Sequence, residues 1–245
     1  MANFILVHGA WHGGWCWRHV VQSLVQGGHR AHAVTLTGAG ERAHLMSPAI
    51  TLETHITDVI QAIEMEEMDD VVLAVHSYAG MIGTAVADRM PERLRHLVYV
   101  DAVVPKPGES WSSTQSGATR EARLAAAQAS PDFSFPPPDP AVFGLTAENY
   151  EWVQRRQRPH PGHTYQATLE FDSQRVAAIS RTFVNCTKPA LATIDAIRPR
   201  LVDSRFWNGA WQAGGGARVV ELKTGHDPMI SAPAELTKIL LECAA

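Results

Sequence analysis

A serine is held in "AVHSYAG", directly after the apolar run "DDVVLAV" and directly before the helix-like "MIGTAVADRM". A strand that turns sharply into a helix at Ser77 lifts the hydroxyl above the sheet and aims the next N–H into the same space. The chemistry this permits is nucleophilic attack on a carbonyl, provided the chain also supplies a base, an acid to orient it and donors for the oxyanion. The pattern around Ser77 departs from small-x-Ser-x-small, with Val75 in the first small position and Ala79-Gly80 at the second. By itself the hexapeptide fits an N-capping serine equally well.

The base is sought in "KTGHDPM", where His226 lies between the last apolar run and the last helical stretch. An imidazole there is placed to meet Ser77 across one sheet edge, in the chain order Ser then His. Oxyanion donors are expected from "HGAWHGGWCW", whose glycines let backbone N–H groups turn inward after the first strand. The acid is the least defined member. Asp101 ends "LVYVD" at a strand tip, where it could equally cap a turn. Asp195 and Asp203 fall in a stretch read as helical, and Asp227 is too close to His226 in sequence to reach the far side of its ring easily. Asp101 is preferred, with Asp195 or Asp203 as alternatives.

These groups need strands and helices in alternation. "NFILVH", "HRAHAVTL", "DVVLAVH", "RHLVYVD", "RTFVNCT" and "ARVVELK" read as six strands. Between them, residues 14–26, a helix with Thr51 as N-cap and Glu53 in its first turn, and the stretch after Ser77 read as helices. Trp17, Val20, Val21, Leu24 and Val25 form the apolar stripe of the first. A helical stretch around 190–207 and a last helix "APAELTKILLECA" complete the set. The rhythm predicts an α/β fold with a mostly parallel, doubly wound sheet of about six strands. It lapses over 104–180, a segment with "SPDFSFPPPDP" and scattered aromatics. Residues 1–103 and 181–245 are therefore read as the core and 104–180 as an inserted cap.

The chain has 245 residues, 45% of them hydrophobic and 19% charged, with a net charge of −4, so no basic field for nucleic acid or an anionic membrane exists. Cys16, Cys186 and Cys243 lack metal-type spacing, no HExxH occurs among the 12 histidines, and neither GxGxxG nor GxxxxGK is present. No metal or cofactor is expected. "MANFILVHGAWHGG" lacks the features of a signal peptide, which with the odd cysteine count predicts a cytoplasmic protein. A homodimer is left open.

The sequence resembles the α/β-hydrolases, in the branch holding plant methylesterases, hydroxynitrile lyases and bacterial carboxylesterases such as pyrethroid hydrolases. "FILVHGAWHGGWCW", "AVHSYAG" and "TGHDPMISAPAELTKIL" carry the resemblance along nearly the whole chain. It implies Ser77 as nucleophile, His226 as base and the Ala10 and Tyr78 amides as the oxyanion hole. The branch usually carries its acid just after the strand matching "RTFVNCT", where this chain has "TKPA"; other relatives carry it at the end of the preceding strand, which offers Asp101. The lyases have a lysine after the catalytic histidine and a threonine in the first loop, and this chain has Asp227 and Ala10. Ser77 excludes a dehalogenase, which needs an Asp nucleophile. The implied activity is hydrolysis of small-to-medium hydrophobic esters by a serine carboxylesterase. A non-hydrolytic ligand receptor or a lyase on the same fold is the alternative. Trp11 is expected on the acyl side, and Trp111, Phe133, Phe135, Phe143, Trp152 and Tyr165 are candidates to roof the pocket.

Overall fold

A computed structural model of the chain describes residues 1–212 and 217–245. Among these the strands are β1 (Asn3–Val7), β2 (Arg30–Val34), β3 (Val71–His76), β4 (Leu94–Val100), β5 (Glu109–Ser110), β6 (Ser134–Phe135), β7 (His160–Pro161), β8 (Thr168–Leu169), β9 (Ser180–Cys186) and β10 (Ala217–Leu222). The helices are α1 (Arg18–Gln26), α2 (Leu52–Met65), α3 (Gly80–Arg89), α4 (Gly117–Ala129), α5 (Ala147–Gln154), α6 (His163–Gln166), α7 (Ser173–Ala177), α8 (Pro228–Ser231) and α9 (Pro233–Cys243).

Six strands form one sheet in the order β10-β9-β4-β3-β1-β2, and every neighbouring pair is parallel. Parallel strands need both faces covered, and all six residues of β3 are accordingly buried. The chain runs from β1 outward to β2, then back past β1 to β3. Right-handed crossovers therefore place α1 and α2 on opposite faces; α1 packs against α9 and α2 against α3. The reversal lies between β1 and β3, whose ends are in register at Val7 and Val75. Open α/β sheets hold their ligands in the crevice at such a switch point. The loop beginning at His8 and the turn at Ser77 both leave the sheet there.

Local signals account for the helix boundaries. Thr51 caps α2 in a reciprocal capping box with Thr54, and Glu53 sits in the first turn. In α1 only Val20 and Leu24 of the expected stripe are fully buried. Val25 is 53% exposed, because it lies one position round the helix from the Val20–Leu24 row that faces the core. The helix expected over 190–207 is replaced by three short 3-10 segments, Ala192–Ile194, Arg198–Leu201 and Phe206–Gln212. Pro199 lacks the N–H a continuous helix would use there. Between β4 and β9 the chain adds α4–α7 and two two-stranded ribbons, β5 with β8 and β6 with β7, outside the main sheet. Among the described residues no helix is long and apolar enough to cross a membrane.

Candidate active site

Ser77 follows the last residue of β3 with φ of 55°, in the left-handed region that disfavours a side chain. Trp11 after β1 and Asp101 after β4 share this strain, with φ of 65° and 42°. Three non-glycine residues in that conformation converge on the same sheet edge, a concentration typical of functional sites. Close backbone approach fixes the turn. Val103 N–H donates to the Ser77 carbonyl at 2.9 Å. A Cβ on Gly9 would come within 2.7 Å of the Ser77 Cβ, so only glycine lets the first loop pass.

Of the acids considered from sequence, Asp101 meets the histidine. His226 Nδ1–H donates to Asp101 Oδ2 at 2.7 Å, and both side chains are buried. The other carboxylate oxygen accepts from Cys186 N–H at 3.3 Å and from Arg198 Nη2 at 3.4 Å. Asp195 instead pairs with Arg198, and Asp203 with Arg205. The Asp101 bond leaves the His226 Nε2 free as an acceptor. His226 N–H donates to the Phe143 carbonyl, and His76, the residue before Ser77, donates Nε2–H to the His226 carbonyl at 2.9 Å. The loop bearing His226 is thereby tied to the strand that ends at Ser77. The Ser77 hydroxyl is partly exposed and has no hydrogen-bond partner among the described residues; catalytic hydrogen bonds often tighten only with substrate in place.

Ala10 N–H likewise has no hydrogen-bond partner among the described residues, while the Ala10 carbonyl accepts from His12 Nδ1–H at 2.8 Å. Tyr78 occupies the first turn of the 3-10 segment Ser77–Ala79, where N–H groups lack an intrahelical acceptor. Its phenol contacts His55 Nδ1 at 3.1 Å, and burial pushes the hydroxyl pKa far up.

The aromatic candidates divide. Trp11, Trp111, Phe135, Phe143 and Tyr165 form one cluster, in which Trp11 lies 6.2 Å from Trp111, 5.8 Å from Phe135 and 6.2 Å from Phe143 between ring centroids. Phe143 in turn lies 5.6 Å from the His226 ring. Phe133 stacks on His163 and Trp152 packs on Trp15, so their ring contacts lie outside this cluster. His160, read from sequence only as part of a Pro/Gly loop, is buried inside it, 4.8 Å from Tyr78 and 5.6 Å from Trp111.

Sequence reasoning also missed the role of Asp227. Its carboxylate is buried, accepts from His12 Nε2–H at 3.1 Å and lies 3.5 Å from His76 Nε2. Donor atoms of His76, His226 and Asp227 fall within 4.8 Å of one another. All three residues are tied into hydrogen bonds within the protein, to the His226 carbonyl, Asp101 and His12 respectively.

A strained serine turn at a topological switch point, beside a histidine–aspartate pair, defines the hydrolase class of α/β folds. The profile of the alpha/beta hydrolase family matches residues 4–239, and the chain belongs to that family. It is 39% identical over 248 residues to a carbendazim hydrolyzing esterase of Nocardioides sp. (strain SG-4G), covering 98% of each chain. It is 26% identical to methylesterase 7 of Arabidopsis thaliana, over 99% of this chain and 96% of the relative. Among solved structures, an extracellular α/β-hydrolase from a Paenibacillus species superposes with a TM-score of 0.80 at 17% identity, over 99% of each chain.

Proposed function

We propose that the protein is a serine carboxylesterase that hydrolyses small-to-medium hydrophobic carboxylic esters through an acyl-enzyme. The observation that carries this reading is the buried 2.7 Å bond from His226 to Asp101, at the sheet edge where Ser77 leaves β3. The esterases and methylesterases to which the chain is similar support it.

Asp101, whose other carboxylate oxygen accepts from Cys186 N–H and Arg198, fixes the tautomer of His226 with the proton on Nδ1. His226 Nε2 takes the Ser77 proton as Oγ attacks the ester carbonyl carbon. The oxyanion accepts from the Ala10 and Tyr78 N–H groups, each worth roughly 3–4 kcal/mol in the transition state. The tetrahedral adduct collapses, the C–O bond to the alcohol breaks, and His226 protonates the departing alkoxide. Water, deprotonated by His226, then attacks the acyl carbon; the bond to Ser77 Oγ breaks, His226 returns the proton to Oγ, and the acid leaves. Residues 104–180 serve as the cap. Trp111, Phe135, Phe143 and Tyr165 with Trp11 make the roof apolar, which favours hydrophobic esters over sugars or peptides. The enzyme works in the cytoplasm, a placement that its three buried, unpaired cysteines support.

The test is hydrolysis of p-nitrophenyl butyrate, with mass spectrometry after an organophosphonate probe. Turnover that disappears in Ser77→Ala, and a single labelled peptide containing Ser77, are expected. Label elsewhere, or activity that survives Ser77→Ala with the fold intact, would overturn the assignment.

A further inference from the structure

The esterase reading leaves the half-buried guanidinium of Arg123 without a task. Arg123 on α4 directs its guanidinium into the aromatic cluster, with Cζ 5.2 Å from the Trp11 ring centroid, 5.1 Å from Trp111 and 5.4 Å from Tyr165. Among the described residues it forms no ion pair, and its Nη1 is closed off from solvent without a hydrogen-bond partner. By contrast, Arg200 holds Glu109 through two bonds of 2.6 and 2.7 Å, Arg198 holds Asp195 and Asp101, and the fully buried Arg181 donates to the Ala177, Ile179 and Trp211 carbonyls. Burial lowers the Arg123 pKa, and the neighbouring Tyr165 phenol only partly compensates. The Tyr165 hydroxyl is itself buried without a partner. Cation–π contact with these rings offsets part of such a burial cost but supplies no counter-ion.

A cavity of about 340 Å³ opens beside this group, lined by Trp11, Arg123, Phe135 and the proline run Pro136–Pro138 among others, with no acidic side chain in its wall. An apolar wall with a single guanidinium lacking a counter-ion is the complement of an amphipathic anion. Guanidinium recognises carboxylate through charge-assisted, often bidentate bonds that strengthen in a water-poor setting.

We propose that this cavity is a binding subsite for an organic carboxylate, with the anion on Arg123 and its apolar body against Trp11, Phe135 and the prolines. The subsite goes beyond ester hydrolysis and stands whether or not Ser77 attacks. Two sources share the chemistry: the distal carboxylate of a half-ester substrate, and the free acid released by turnover.

Calorimetric titration of the full chain with 4-phenylbutyrate and with its neutral amide tests the subsite. The acid is expected to bind at least about tenfold tighter than the amide. Arg123→Gln should erase that preference, Arg123→Lys should retain part of it, and Ser77→Ala should leave it intact. Equal binding of acid and amide, no binding of either, or a preference that survives Arg123→Gln would overturn the proposal. If Arg123→Gln does not fold, the acid–amide contrast in the wild type and its loss on raising salt decide the matter. The source is then read from hydrolysis, which does rest on the esterase reading. A lower KM for monomethyl than for dimethyl adipate, lost in Arg123→Gln, assigns the half-ester. Equal KM values, with inhibition by 4-phenylbutyrate that Arg123→Gln relieves, assign the released acid. Absence of any ester hydrolysis would remove the esterase reading and leave the calorimetric result untouched.

Discussion

His226 is followed by an acid, and the acid works through residues far away in sequence. Burial alone would raise the Asp227 carboxyl pKa, but His12, then His76 and His226, hold it down to about 2. Burial in turn opposes protonation of His12, yet Asp227 and the Ala10 carbonyl raise its pKa above 6.5. Both ring nitrogens of His12 therefore donate, and the pair is an imidazolium on a carboxylate. Its contribution is lost as pH falls below 3.8 toward about 2, where Asp227 protonates, and again as pH climbs past 6.5 through the raised His12 value. Asp227→Asn strands a buried charge, so urea unfolding should show a loss of about 3–5 kcal/mol. The double variant with His12→Gln should lose less than the two single variants summed. Simple additivity would mean that the pair is not coupled. For the proposed triad, Asp101→Asn should lower kcat by about 10⁴-fold, whereas Asp195→Asn and Asp203→Asn should leave it within about twofold. A large loss in either of the latter would move the acid away from Asp101.

The turn at Ser77 depends on how closely α3 packs against the segment after β4. A Cβ on Gly80 would fall 1.9 Å from the Val103 carbonyl oxygen, a backbone atom with nowhere to go. Gly80→Ala should therefore destabilise the fold and lower turnover together, because the same segment carries Asp101 and bonds the Ser77 carbonyl. Gly117→Ala, at the start of α4 with nothing within 4 Å, should be neutral or stabilising by up to about 1 kcal/mol. Thermal melts and p-nitrophenyl butyrate rates on both variants check the contrast; equal effects would mean that the clash is relieved elsewhere. What was legible in sequence follows the same division. Parallel strands buried on both faces read as unbroken apolar runs, and glycine, proline and Thr51 mark their connections, so the six strands were legible, though not their order in the sheet. The serine turn and His226 were legible because each sits at a strand end. The cap was not. Its strands are two residues long, and whether Phe135 or Phe133 turns inward depends on contacts with Trp11, more than a hundred residues away. Arg198 and Arg123 were also hidden, since a charged side chain in a polar segment reads as solvated until the fold brings it to Asp101 or to a ring.

The two halves of the molecule meet at the switch point through neutral, buried imidazoles. His8 at the end of β1 donates from Nδ1 to Gly9 O and accepts from Leu36 N–H after β2. His55 on α2 bonds the Thr37 carbonyl and the Tyr78 phenol. Burial lowers the His8 pKa from 6.5 to about 3, a backbone bond to Gly9 opposing it in part. Burial likewise takes His55 from 6.5 to about 4 against its bond to Thr37. Since the folded values lie below 6.5, the unfolded chain takes up these protons first. Stability is full above pH 6.5 and is lost as pH falls toward about 4 and then about 3. Two such groups give a slope of up to ~2.7 kcal/mol per pH unit, far more than surface carboxylates contribute in that window. His12, whose pKa is raised, runs the other way and offsets part of it. Between about pH 7 and about pH 4.5 the thermal midpoint should therefore drop steadily, and a His8→Asn, His55→Gln double variant should flatten the drop even if it starts from a lower midpoint. A wild-type midpoint that does not move over this range would overturn the expectation, and a double variant with the same slope would mean that acid enters through the other imidazoles whose pKa burial lowers, His76, His96 and His160.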